Sequence, residues 1–145
     1  MSISEIIDCA TEVAKWSGIG LGAYLAALVG ISEIPRFYSK KISSQEDLER
    51  VTREEIEKLG MDNKKVHSLF RKHSEGRSCR LSDGIYLIVT GGATSNRAVV
   101  RHELYHIHKG HCDEISSSKS IKGVLDYLFR KEPQALVYGA FGIKL

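Results

Sequence analysis

The chain has 145 residues, 42% of them hydrophobic and 27% charged, with two prolines and a net charge of +3. This content fits one ordinary domain around a single core and excludes a disordered, collagen-like or disulfide-stapled chain. The charge is too mild to point to nucleic acid by itself, and three widely spaced cysteines (Cys9, Cys79, Cys112) without a CxxC pair read as reduced thiols of a cytoplasmic protein.

In chain order, Ile3, Ile6, Ile7, Ala10, Val13 and Ala14 recur with the helical period. The first charges are Glu5, Asp8 and Glu12, so a secretory signal with a basic start is not expected. Trp16–Ser32 then runs for 17 residues without a charge, just short of the roughly 20 that a membrane span needs. Gly18, Gly22, Ala26 and Gly30 share one helical face, where small residues let a second helix approach closely. The segment is therefore expected to be a buried helix using that face. The alternative is a membrane anchor, with Arg36, Lys40 and Lys41 keeping the C-terminal part on the cytoplasmic side. Pro35 ends this stretch.

Ser44 to Asp47 and Thr52 to Glu55 resemble capping boxes opening two short helices, the second closed by Gly60. Asp62 is expected to cap a third, with Val66, Leu69 and Phe70 on its apolar face and Gly76 at its end. The period then changes. Ser78–Leu81 and Ile85–Thr90 flank an Asp83-Gly84 turn and read as a β-hairpin. Gly91-Gly92 stops the second strand, and Thr94 or Ser95 is expected to cap a helix that ends at Gly110. After a polar loop (Asp113–Ser118), Ile121, Val124, Leu125, Leu128 and Phe129 form another amphipathic helix. Pro133 must break or restart it, and Glu132-Pro133 opens a last helical segment. The expected class is α+β, mostly helical with one small sheet. Residues 1–80 form a helical part packed on residues 81–145, in one compact domain.

Chemistry concentrates at His102-Glu103-Leu104-Tyr105-His106, an HExxH sequence. Residues i and i+4 share a helical face, so His102 and His106 can grip one metal ion, with Glu103 placed to act as general base on a metal-bound water. A chain of this composition is expected to contain the pattern about 0.02 times by chance. Catalytic zinc takes three protein ligands and leaves a position for water. Glu132 is the first choice for the third. Twenty-five residues separate it from His106, enough for a loop and a helix that bring the chain back. Ala135, one turn on, is small enough to let that segment pack against the metal helix. His111 and Cys112 are alternatives. Neither completes an HExxHxxGxxH pattern, since Lys109 stands where Gly is needed and Cys112 where His is needed.

The strand, the HELxH-type helix and the later Glu132-Pro133-Gln134-Ala135 (ExxA) resemble the gluzincin-type zinc metallopeptidases, with the nearest resemblance to the small ImmA/IrrE-type peptidases. The likeness covers residues 83–142, about 40% of the chain. It implies a minimal zincin-like arrangement, one zinc ion on His102, His106 and Glu132, Glu103 as the base, and an extended protein or peptide substrate paired with the strand Ile85–Val89. Two departures stand out: Tyr105 replaces the glycine usual before the second histidine, and Pro133 follows the third ligand. A residue before proline avoids helical angles, which predicts Glu132 at a helix entrance rather than inside a helix.

In the expected reaction Glu103 takes a proton from the attacking water and passes it to the leaving amine. Tyr138, His111 and Tyr127 are candidate oxyanion donors, and Asp126 and Asp113 candidate acceptors for the ligand imidazoles. A binding domain that holds zinc without turnover is the other reading. The basic stretch Lys64, Lys65, Arg71, Lys72, Arg77 and Arg80 is expected to be a solvated face rather than a nucleic-acid surface. The sequence leaves the oligomeric state open.

Overall fold

The computed structural model describes residues 3–34, 38–113 and 121–144. Pro35 and most of the polar loop Asp113–Ser118 lie outside them. The fold is α+β and mostly helical, with one small three-stranded sheet.

The N-terminal segment is one helix, α1 (Ile3–Glu33). Its small-residue face is not buried: Gly18, Gly22, Ala26 and Gly30 are exposed, and a Cβ at any of the three glycines would meet nothing within 4 Å. Ile19, Leu21, Leu25 and Val29 are exposed as well. Among the described residues no helix is long and apolar enough to cross a membrane. The helix docks through Tyr24, which stacks on Phe129 at 4.9 Å and donates its hydroxyl to the Leu128 carbonyl at 2.7 Å.

Helix α2 (Gln45–Leu59) opens where the Ser44 hydroxyl accepts from the Asp47 amide and closes at Gly60, whose φ of 69° suits a residue without Cβ. The second capping box does not open a helix. Thr52 and Glu55 lie inside α2, continuing its buried stripe of Leu48, Val51 and Leu59. The third expected helix is instead strand β1 (Lys65–Phe70), with Val66, Ser68 and Phe70 turned inward and Lys65, His67 and Leu69 outward. Spacing of i, i+3, i+4 over so short a window also fits period 2, and pairing with a neighbouring strand decides between them.

Strands β2 (Arg77–Ser82) and β3 (Ile85–Thr90) form the expected hairpin, with Gly84 at φ 69° in the turn. The sheet order is β1-β3-β2, β3 running parallel to β1 and antiparallel to β2. The crossover from β1 to β2 passes over the end of β3, where any Cβ on Gly91 would collide with the Arg71 backbone. Residues from before position 81 thus supply β1 and most of β2, where a helical part was expected. The outer edge of β1 is covered by Gln45, which bonds the Ser68 carbonyl (2.9 Å) and the Phe70 amide (2.8 Å).

Helix α3 (Arg97–His108) comes next. Its cap is Asn96 rather than Thr94 or Ser95: the Asn96 side chain accepts from the amides of Ala98 and Val99. The short helix α4 (Ile121–Asp126) continues through a π-helical turn (Tyr127–Lys131) into α5 (Glu132–Phe141). Ala135 is fully buried, and a Cβ on Gly139 would lie 2.9 Å from the Ala98 carbonyl. These two small residues, one turn apart, let α5 lie close along α3. Val100, Leu104, Tyr105 and Ile107 of α3 join Leu48, Met61, Ile88 and Tyr138 in the core.

Candidate metal centre

Helix α3 turns His102, Glu103 and His106 toward one pocket of about 360 Å³, which Gly76, Arg77, Ser78, His111, Cys112, Tyr127 and Glu132 complete. His102 Nε2 lies 3.1 Å from His106 Nε2, and Glu132 places Oε1 3.3 Å from His102 Nε2 and Oε2 3.3 Å from His106 Nε2. All three ligand atoms fall within 4.8 Å of one another, a group that could hold a metal ion. The oxygen of Glu132 nearest His106 is buried yet lacks hydrogen-bond alignment. The donors therefore crowd around a common point rather than pairing fully with each other.

Glu132 sits inside a helix, not at an entrance. Its φ and ψ are −65° and −47°, and its amide reaches back five residues to the Tyr127 carbonyl. The wider turn accommodates Pro133, which offers no N–H and crowds the carbonyl four residues earlier in an α-helix. It also brings residues i and i+5 onto nearly one face. The Tyr127 hydroxyl hydrogen-bonds Glu132, and its ring stacks on His106 with centroids 5.9 Å apart. Burial alone would raise the Glu132 pKa. The close approach of His102 first and then His106, with the Tyr127 hydroxyl, holds it far below the usual carboxylate range. For His102 burial pulls the other way, but the bond and charge of Glu132 and the charge of Glu103 leave its pKa raised. Tyr127 is pushed up by burial and by the Glu132 and Glu103 carboxylates.

Glu103 receives the Ser78 hydroxyl at 2.5 Å, and Ser78 lies 3.6 Å from the buried Cys112 thiol, whose pKa burial raises. Ser78 stands on β2, an edge strand of the sheet. The strand expected to pair with substrate, Ile85–Val89, is the central strand with both edges occupied. The edge beside the pocket belongs to Arg77–Ser82.

Of the other candidates, His111 and Cys112 line the pocket outside the three-residue group, His111 with Nδ1 2.9 Å from His106 Nδ1. Tyr138 is in the core, stacked on Tyr105 at 4.9 Å, and cannot reach the site. Asp126 pairs with Arg130 and Lys131, and Asp113 with Tyr86 and Arg80; no contact joins either to the ligand imidazoles. The basic stretch is divided: Lys64 bonds the Ile107 carbonyl, Arg80 pairs with Asp83 and Asp113, and Arg77 reaches the pocket rim. Phe70 packs on the core. Sequence reading did not single out Ser78. A serine one strand residue from the hairpin's start carries no signal until the sheet is laid on α3.

Compared with protein-family models, curated proteins and solved structures, the chain matches none.

Proposed function

We propose that the chain is a zinc-dependent peptidase of the HExxH type, with His102, His106 and Glu132 holding the metal and Glu103 acting as general base. The donor spacing carries this reading. Ligands at 2.0–2.1 Å around a tetrahedral zinc lie about 3.3 Å apart; here the two imidazole nitrogens are 3.1 Å apart, and each lies 3.3 Å from its own oxygen of the Glu132 carboxylate. Two imidazoles and one carboxylate also match the donor set of catalytic rather than closed structural zinc.

Zinc bound there would supply the Lewis acidity that activates water toward a carbonyl carbon. Glu103 holds the proton taken from that water, and its Ser78 bond fixes which carboxylate oxygen remains for the work. As an edge strand, β2 would take an extended peptide whose backbone adds to the sheet beside the pocket. Of the side chains expected to donate to a developing oxyanion, Tyr127 and His111 border the same space. The reading includes a cytoplasmic setting, where thiols such as Cys79 and Cys112 stay reduced.

The test compares wild type with Glu103→Gln in one pool of unfolded proteins and peptides, after metal analysis of both purified without added metal. One zinc per chain in each is expected, with hydrolysis about 10²–10⁴-fold lower in the variant. Equal cleavage would mean a contaminant or a mechanism without Glu103. Zinc in both with cleavage in neither would favour a binding domain without turnover.

A further inference from the structure

The second nitrogen of a metal-binding imidazole needs an acceptor, which fixes the tautomer and holds the ring. That acceptor is usually a carboxylate or a carbonyl, yet the aspartates nearest in sequence are engaged elsewhere. His106 instead presents Nδ1 to the Nδ1 of another imidazole, His111, at 2.9 Å. Two ring nitrogens at that distance share one proton: one donates and the other accepts. His106 Nε2 is the atom that faces His102 and Glu132. A metal takes a lone pair, so Nε2 must be bare and the His106 proton must sit on Nδ1. His111 is then the acceptor, and its own proton stands on Nε2.

The fold builds this contact into the end of α3. Gly110, at φ 74°, turns the backbone back immediately after the helix. A single 3-10 turn, His111–Asp113, comes next, closed by the Asp113 amide on the Gly110 carbonyl at 3.0 Å. The Asp113 carboxylate is tied to the sheet by the Tyr86 hydroxyl at 3.0 Å and by Arg80 at 3.4 Å. The sheet thus anchors the turn, the turn places His111, and His111 faces the side of His106 away from the other two donors.

We propose that His111 is a positioning residue that selects the metal-ready tautomer of His106 and fixes its ring. The proposal rests on the zinc reading and names a residue that the HExxH pattern does not contain. Two measurements test it. Long-range proton–nitrogen correlation spectra of the metal-free wild-type chain should show His106 protonated on Nδ1 and His111 on Nε2. Zinc affinity, measured by competition with a chromophoric chelator, should fall about 10–100-fold in His111→Ala. It should recover most of that in His111→Asn, whose amide oxygen can accept the same hydrogen bond, and vanish in His106→Ala.

Unchanged affinity in His111→Ala overturns the proposal. So does a loss as complete as that of His106→Ala, which would make His111 a ligand, and so does a spectrum with His106 protonated on Nε2. The wild-type spectrum needs no variant to fold. If wild type takes up no zinc while its tautomers are as stated, the zinc reading is the part that fails, and His111 has no metal ligand to orient.

Discussion

The Ser78 hydroxyl is the hydrogen-bond partner that the described structure gives Glu103, and it comes from a strand 25 positions earlier in the chain. A hydrogen bond to a charged group contributes about 1.5–3 kcal/mol, and a base held in the wrong orientation loses most of its value. Ser78→Ala should therefore lower turnover about tenfold or more and leave zinc content unchanged, because Ser78 touches the base and not the ligands. Glu132→Ala should do the reverse and lose zinc first, as removal of one of three donors requires; retained zinc in that variant would put the third ligand elsewhere. The two histidines and Glu103 were legible because i, i+4 spacing on a helix is a local property. Glu132 was legible only as a carboxylate at a workable distance, with Ala135 behind it. Ser78 and the Tyr127 contact depend on which elements lie side by side, and no local pattern encodes that.

At the scale of elements, the π-helical turn decides whether Glu132 meets α3. The Glu132 amide bonds Tyr127, and Pro133 has no N–H to give, so the Leu128 carbonyl is left without a partner from its own helix. The Tyr24 hydroxyl fills that place from α1. Tyr24→Phe keeps the stacking on Phe129 and removes the bond. It should cost about 0.5–1.5 kcal/mol, toward the lower end because the contact is exposed, and should speed amide exchange in α1 with zinc uptake unchanged. The sequence signalled trouble at Pro133 correctly, but an inserted residue relieves a proline as well as a helix end does. The strand read as a helix at Lys65–Phe70 failed for a related reason. Six residues satisfy either period, and the parallel partner β3 lies 20 positions downstream.

On the scale of the whole molecule, α1 and α2 contribute differently to holding the site. None of the described buried residues belongs to α1, where Ile19, Leu21, Leu25 and Val29 are exposed and Leu28 and Ile31 half-buried. Apolar composition therefore misled the sequence reading of Trp16–Ser32, since it reports a preference for burial but not the presence of a surface to meet. Helix α2 is bound to α3 by charge. The fully buried Glu55 carboxylate meets Arg97 at 2.6 Å and Arg101 at 3.1 Å on α3, and Lys58 at 3.0 Å on its own helix. Burial alone would raise the Glu55 pKa, but the bonds from Lys58 and Arg97 and the charges of Arg101 and Arg97 leave it lowered. A carboxyl lowered in the folded state stabilises fully above its unfolded value of about 4.3, and that contribution fades as pH falls through the folded value. Glu55→Gln should thus cost about 3 kcal/mol at neutral pH, because it leaves the Arg101 guanidinium against a neutral amide and Arg97 with Glu54 alone. Denaturant melts of both proteins should converge as the pH falls from about 4.3 through the lowered folded value, below which wild type also carries an uncharged side chain. A gap that stays constant across that range would mean that Glu55 acts through packing, and that the α2–α3 contact does not depend on its charge.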